Sequence, residues 1–176
     1  MSPMHVSGGQ TVVNPWYRQF YLRRGDAPWA SDRISKDGYE AHLEAVEGFV
    51  CVSTEMYGSP TPVSIEIHDS EPVPVENADR SVEVSVDGDG PIAVLSWAEE
   101  EASTSIDTPD GPLRLRVSWF GLSETIGNPA REAGGEAESP ERILLQVWPP
   151  RYVGGLSCGV GPAVSDLPEA FDIAKS

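Results

Sequence analysis

Apolar and polar residues alternate along several short stretches of this 176-residue chain. In the stretch 62–68, Val63, Ile65 and Ile67 occupy every second position. A period of two is that of a strand with one face buried. The same period recurs in the stretches 81–86 and 113–119, and the stretch 92–97 is predicted as a further strand. Further strands are predicted where β-branched and aromatic residues concentrate, in the stretches 17–22, 49–54, 103–107 and 143–148.

The connections between these strands are too short and too irregular for long helices. The chain contains 17 Gly and 16 Pro, which favour turns. Without crossover helices, parallel β/α folds are excluded. We therefore predict an all-β fold, a single antiparallel β-sandwich that is jelly-roll-like or immunoglobulin-like, with a short helical insertion near residues 31–46. The predicted organisation is a flexible arm at 1–15, the sandwich domain at 16–152 with a long surface loop at 123–140, and a tail at 153–176.

The net charge of the chain limits the classes of molecule that it is expected to bind. Asp and Glu number 28 against 12 Lys and Arg, a formal net charge of −16. Such a field repels nucleic acid and anionic membranes, so neither is predicted as a partner. No apolar run is long enough to span a membrane, and residues 1–10 lack the pattern of a signal peptide. Two cysteines, Cys51 and Cys158, are too few for a disulfide framework, so we expect a cytoplasmic protein.

The sequence contains little that indicates catalysis. Residues 155–159 match the G-x-S-x-G nucleophile motif around Ser157. That motif needs a histidine later in the chain, whereas His5, His42 and His68 all precede it. No Cys or His spacing suits zinc and no Gly-rich phosphate loop occurs, so no cofactor and no metal are predicted. We expect a protein that is not an enzyme.

Acidic residues in the predicted turns are candidates for binding a protein. A negative surface steers basic partners towards it and raises the association rate. The candidate residues are Asp69, Glu71, Glu76, Asp79, Asp87, Asp89, Glu99, Glu100 and Glu101.

Aromatic residues crowd into positions 16–39, beside a group of basic residues, and suit either the core or an interface. The stretch 17–22 is predicted as an edge strand with apolar residues on both faces. One face would remain uncovered in a single chain, so a homodimer is expected through Tyr17, Phe20, Tyr21 and Arg18.

Other residues suit a small ligand. Trp97 and Trp119 could be platforms for a small molecule or a glycan, with Arg114 and Arg116 making polar contacts. The two arginines lie on the same face of one predicted strand. We expect them to pair with acids on neighbouring strands, such as Glu66 or Glu83.

Scattered Gly, Pro and aromatic residues carry a family resemblance. They are Tyr17, Gln19 and Phe20, then Asp26, Pro28 and Trp29, then Gly38, Tyr39, Gly48 and Phe49, and later the segments 109–115 and 144–149. This pattern resembles the competence protein J family, small inhibitors of the competence DNA-entry nuclease, over about residues 17–149. The arm, the loop 123–140 and the tail depart from it. The resemblance implies that the protein partner is a basic nuclease or toxin.

Two functions follow as expectations. The first is a non-enzymatic acidic protein that binds and inhibits a nuclease or toxin by presenting carboxylates in place of phosphates. The alternative is a small-molecule or glycan-binding jelly roll with hydrolase activity.

Overall fold

The computed structural model describes residues 5–99, 101–128 and 138–151. Ten strands account for most of the secondary structure. They are β1 (His5–Val13), β2 (Gln19–Arg24), β3 (Leu43–Val46), β4 (Phe49–Ser53), β5 (Thr61–His68), β6 (Arg80–Val86), β7 (Ile92–Leu95), β8 (Thr104–Ile106), β9 (Leu113–Phe120) and β10 (Arg142–Trp148). The two α-helices are single turns or little more, α1 (Lys36–Ala41) and α2 (Leu122–Ile126). The predicted all-β fold is confirmed.

The strands form two five-stranded sheets. The first sheet has the order β1-β5-β10-β9-β6, and the second has the order β3-β4-β2-β7-β8. All neighbouring strands run antiparallel except β5 and β10, which are parallel with Val63 opposite Ile143. The predicted sandwich therefore contains one parallel pair, which joins segments about 80 positions apart in the chain.

The main core lies between the sheets. Alternate residues of β9, including Leu115, Val117 and Trp119, face Phe20 and Leu22 of β2 in one continuous buried cluster. Each large apolar side chain buried here contributes about 1.5–3 kcal/mol. The period of two seen in the sequence is therefore the period with which side chains enter this core.

A second, smaller cluster covers the opposite face of the second sheet. Tyr21, Phe49, Cys51 and Leu95 point away from the main core and pack against Ala30. The segment between β2 and β3, which contains α1, supplies this cover. Ser35 is the N-cap residue of this helix, and its hydroxyl accepts a hydrogen bond from the Gly38 backbone N–H. The predicted helical insertion near residues 31–46 is confirmed at 36–41, and residues 43–46 form β3 instead.

Strand β2 is not an edge strand. It lies between β4 and β7, and both Phe20 and Tyr21 are buried, one in each apolar cluster. The prediction of an edge was wrong because apolar residues on both faces mark a strand covered on both sides. The dimer was expected because one apolar face of this strand would be uncovered, and the structure covers both faces. Of the three aromatic residues expected at the dimer contact only Tyr17 is exposed, and Arg18 is half-buried.

Two segments expected to be irregular contain regular structure. Residues 5–13 of the expected arm form β1, which pairs with β5 at the edge of the first sheet. This pairing rests on backbone hydrogen bonds, so the polar and Gly-rich sequence gave little sign of it. Residues 122–126 of the expected loop form α2, while residues 129–137 and the tail lie outside the described residues. In the ranges that are described, no helix is long and apolar enough to cross a membrane.

Two glycines allow a test of how the turns around β9 are fixed. Gly121 has a φ of +77°, and a Cβ there would lie 2.3 Å from the Pro140 carbonyl oxygen. Gly111 has a φ of +88° with no described atom within 4 Å of a Cβ. We expect Gly111→Ala to cost about 1–2 kcal/mol of unfolding free energy from backbone conformation alone. Gly121→Ala should cost at least about 2 kcal/mol more because the backbone must also move. Urea unfolding measures both; equal losses would contradict the close approach to Pro140.

Candidate functional site

The acidic candidates lie at different ends of the sandwich. Every one that the structure describes is exposed. Asp69, Glu71, Asp87 and Asp89 lie in the connections that follow β5 and β6, at one end. Asp79, which precedes β6, lies at the opposite end with Glu99 and Glu101, which follow β7. Glu76 lies in the connection that runs between the ends, and Glu100 lies outside the described residues. The nine residues therefore do not form one surface.

Two of these carboxylates stabilise the fold. Asp79 accepts a hydrogen bond from the Leu122 backbone N–H at 3.0 Å, at the start of α2. Asp89 accepts one from the Gly111 N–H at 2.7 Å and so ties two neighbouring loops together. Burial lowers the pKa of the adjacent Arg24 guanidinium, and the charge of Asp89 partly offsets that effect. Asp79 and Asp89 are thus weaker candidates for a partner than the other acids.

The outer face of the first sheet holds a polar network centred on Arg116. The Arg116 Nε donates to Glu83 Oε1 at 2.7 Å, and Arg114 donates to Glu83 Oε2 at 3.1 Å. The predicted pairing of the two arginines with Glu83 is confirmed. Glu66, the other acid considered, accepts from the amide of Gln146 at 2.9 Å and contacts His68.

Arg116 is enclosed as well as paired. Its side chain is only 3% exposed, it donates to the Pro72 carbonyl at 3.0 Å, and its guanidinium lies 5.0 Å from the centre of the Trp148 ring. Burial raises the pKa of Glu83, but the hydrogen bonds and charges of Arg116 and Arg114 outweigh burial, so the pKa of Glu83 is lowered overall. This network stabilises the sheet and leaves Arg116 without a free face for a ligand.

The expected ligand site of two tryptophans and two arginines does not form. Trp119 is fully buried between the sheets, where its Nε1–H donates to the Ser53 carbonyl at 3.0 Å. Arg114 and Arg116 point from the outer face of the first sheet, and Trp97 lies on the outer face of the second. The four side chains therefore belong to three different regions of the sandwich.

Trp97 instead lines a groove on the outer face of the second sheet, which we call the aromatic groove. Its volume is about 760 Å³, and it is lined by Tyr21, Arg23, Trp29, Ser31, Trp97, Ala98 and Glu99. Trp29 contacts Tyr21 and Phe49, with ring centres 5.1 and 5.0 Å apart, and its Nε1–H donates to Ser31 Oγ at 2.7 Å. These contacts hold the Trp29 ring in place although 42% of the residue is exposed.

Further aromatic rings contact one another in a row that begins at Trp97. The Tyr17 ring centre lies 4.6 Å from that of Trp97 and 5.6 Å from that of Tyr57, and Tyr57 in turn contacts Trp16 at 5.5 Å. Tyr17 is 61% exposed and Trp16 is 43% exposed. An apolar surface of this kind is rare on a protein that has no partner for it.

The loops that display these rings carry unusual backbone conformations. Tyr17 has a φ of 55° and Arg18 a φ of 60°, and Ala98 in the groove has a φ of 57°. Left-handed backbone at residues other than glycine costs of the order of 1–3 kcal/mol and is concentrated at functional sites. The sequence drew attention to the aromatic residues at 16–39, but it could not place Arg23, Tyr57 and Trp97 beside them.

The described residues offer little for catalysis. Among them, no group of three or more His, Cys, Asp or Glu side chains is placed to hold a metal ion. Cys51 is buried, and burial raises the pKa of its thiol to about 12, so the reactive thiolate is not formed near neutral pH. Ser157 lies outside the described residues.

Two solved structures are similar to this chain along most of its length. One is ComJ from Bacillus subtilis, an inhibitor of the DNA degrading activity of NucA, with a TM-score of 0.59 and 13% sequence identity, covering 85% of this chain and 99% of ComJ. The other is crocagin biosynthetic gene J, with a TM-score of 0.54 and 18% identity, covering 83% of this chain and 100% of that chain. No protein-family model and no curated protein sequence matches the chain. The resemblance to the competence protein J family is confirmed at the level of the fold.

The polar network gives a prediction for the pH dependence of stability. Glu83→Gln removes the charge opposite the buried Arg116, so the unfolding free energy should fall by about 1–3 kcal/mol at neutral pH. Because the folded state lowers the pKa of Glu83 from 4.5, its contribution is present above that pH and is lost as the pH falls through the lowered value. The difference between parent and variant should therefore shrink below about pH 4 in urea unfolding experiments.

Glu71→Gln is the matched control. Glu71 lies 3.5 Å from the same guanidinium but is 53% exposed, so its removal should cost less than about 0.5 kcal/mol. Equal losses for the two variants, or a Glu83→Gln loss that does not change with pH, would contradict this account of the network.

Proposed function

We propose that this chain is a non-catalytic protein that binds a basic nuclease or toxin and inhibits it. The observation that carries the proposal is the likeness of fold to ComJ, which covers nearly the whole of that inhibitor. Since fold alone does not determine function, the proposal also rests on the charge and the surface of this chain. It predicts that the chain acts by occupying a site on another protein.

Electrostatics supports an inhibitor of an enzyme that acts on nucleic acid. Enzymes that bind DNA or RNA present Lys and Arg to the phosphate backbone. A chain with a net charge of −16 is attracted to such a cleft and can place carboxylates where phosphates would bind. An inhibitor that protects the cell's own nucleic acid acts where that nucleic acid lies, so we place this encounter in the cytoplasm.

The exposed acids that are free of structural roles lie at both ends of the sandwich. Asp69 and Asp87 lie at one end, and Glu99 and Glu101 at the other. None of the four side chains makes a hydrogen bond or an ion pair with the described residues, so each is available to a partner. Self-association is not part of the proposal, because Phe20 and Tyr21 are buried within the chain.

A ligand-binding protein is the second candidate. The aromatic groove has about the volume of a small-molecule site, for which about 300–1,000 Å³ is usual. A glycan or small-molecule ligand would stack on Trp29 and Trp97 rather than on the residues expected from the sequence.

The inhibitor proposal is tested by DNA degradation. Two nucleases would be used, NucA and the nuclease encoded nearest to the gene of this chain, each with and without equimolar chain. We expect a one-to-one complex in analytical ultracentrifugation and loss of DNA degradation by the cognate nuclease, with inhibition weakening as salt rises. If both nucleases stay fully active at about tenfold excess of the chain and form no complex, the proposal is wrong.

Paired charge reversals locate the acidic contact. One variant carries Asp69→Lys and Asp87→Lys, and the other carries Glu99→Lys and Glu101→Lys. The two variants change net charge equally, so the overall field is matched. We expect the affinity for the nuclease to fall at least about tenfold for one variant only. Equal inhibition by both variants and the parent would exclude the carboxylates as phosphate mimics.

A further inference from the structure

The aromatic groove has the chemistry of a docking site for an extended protein segment. We propose that a partner protein inserts an apolar side chain between Trp29 and Trp97 and places a Lys or Arg beside Glu99. The inference deepens the proposed function, because it says where on the chain a protein partner binds. It concerns the outer face of the second sheet, which the acidic loops at the other end of the sandwich do not reach.

The groove is an apolar surface that the described residues leave accessible to solvent. Tyr21 forms its floor and is buried by Trp29 and Phe49, so the floor is rigid. The walls are Trp29 and Trp97, and both keep part of their rings accessible to solvent. Filling such a site with one aliphatic or aromatic side chain removes apolar area from water on both partners, at about 25 cal/mol per Å². The shape therefore selects an apolar anchor.

The acidic rim of the groove favours a segment that carries a positive charge. Glu99 lies at the rim and also borders a neighbouring shallow depression of about 440 Å³, together with Glu101. Neither carboxylate is paired with a described residue. A cationic side chain next to the anchor would be attracted to both.

Arg23 supplies a donor on the other side of the groove. Arg23 is partly exposed and lines the groove together with Glu99. A backbone carbonyl or a carboxylate of the segment would be attracted to its positive guanidinium. The expected segment thus has an apolar anchor, a base on the Glu99 side and an acceptor on the Arg23 side.

The extent of the rings favours a protein segment over a sugar or a small molecule. From Trp97, which lines the groove, contacting rings continue over Tyr17 and Tyr57 to Trp16, with neighbouring ring centres 4.6–5.6 Å apart. An extended chain advances about 3.3 Å per residue and presents alternate side chains to one face, so several of its residues would meet successive rings. Trp, Tyr and Arg, the residues that build this surface, are the ones enriched at the centres of protein interfaces.

A random peptide library displayed on phage tests the inference without the nuclease. The parent chain would be the target, and bound peptides would be sequenced and their affinities measured. We expect enrichment of peptides in which an aromatic or large aliphatic residue adjoins a Lys or Arg. When the Glu99→Lys variant is the target instead, the enriched peptides should carry Asp or Glu in place of the Lys or Arg. Peptides selected on the parent should bind Glu99→Lys at least about tenfold more weakly than they bind the parent.

Two further variants control for general effects. Asp107→Lys makes the same charge change at an exposed position that follows β8, at the other end of the sandwich, and its affinity for the selected peptides should stay within about twofold of the parent. Trp29→Ala should abolish binding while thermal unfolding shows that the chain remains folded. Glu99→Lys keeps the test decisive if Trp29→Ala does not fold, because Glu99 is exposed and unpaired within the described structure.

Three results would overturn the inference. They are the absence of enriched peptides, enriched peptides without the basic residue, and peptides that bind Glu99→Lys as well as the parent. Binding to a glycan array that Trp29→Ala removes, with no peptide binding, would also overturn it and would favour the ligand-binding function. Peptide binding at the groove together with a nuclease that is not inhibited would leave this inference standing and refute the proposed inhibition.

Discussion

The second sheet is apolar on both faces, and most features of the molecule follow from covering it. Strand β2 sends Phe20 into the main core and Tyr21 to the opposite side. The first sheet covers the inner face completely. Among the described residues, the segment between β2 and β3 covers part of the outer face with its small helix and Trp29. The part that the described residues leave accessible includes the aromatic groove.

The outer face of the first sheet is polar rather than apolar. Its side chains are charged or hydrogen-bonded, and the connection from β5 to β6 closes over Arg116 through the Pro72 carbonyl. A buried charge of this kind is tolerated only when its hydrogen-bond donors are satisfied. The two outer faces therefore differ in kind. One carries a network of charged and hydrogen-bonded side chains, and the other exposes aromatic rings.

The sequence predicted well those features that depend on local period. The alternation of Val63, Ile65 and Ile67 identified β5 and the face it buries. The spacing of Arg114 and Arg116 predicted that both would pair with acids on neighbouring strands, and both pair with Glu83. The order of the strands could not be predicted in this way. A period of two shows which face of a strand is buried, but it does not show which strand lies beside it. For that reason β2 was assigned to an edge and β1 to an arm.

The candidate site was harder to predict, for a related reason. The acidic residues lie close together in sequence but follow strands that end on opposite sides of the sandwich. Trp97 and Arg23 are over 70 positions apart in sequence, and only the pairing of β2 with β7 brings them to one groove. The concentration of rings at 16–39 was visible in advance. The core interpretation is correct for Tyr21, which belongs to the buried cluster, whereas Trp29 and Tyr17 remain accessible to solvent.

The place of β10 in the first sheet has a consequence for the making of the protein. β10 is the last strand of the described sequence, yet it lies in the middle of its sheet, between β5 and β9. While the ribosome is still adding residues before 142, each of those two strands exposes an unpaired backbone edge. Such edges are templates for pairing with other chains. The net charge of −16 opposes such pairing, because neighbouring copies of the chain repel one another.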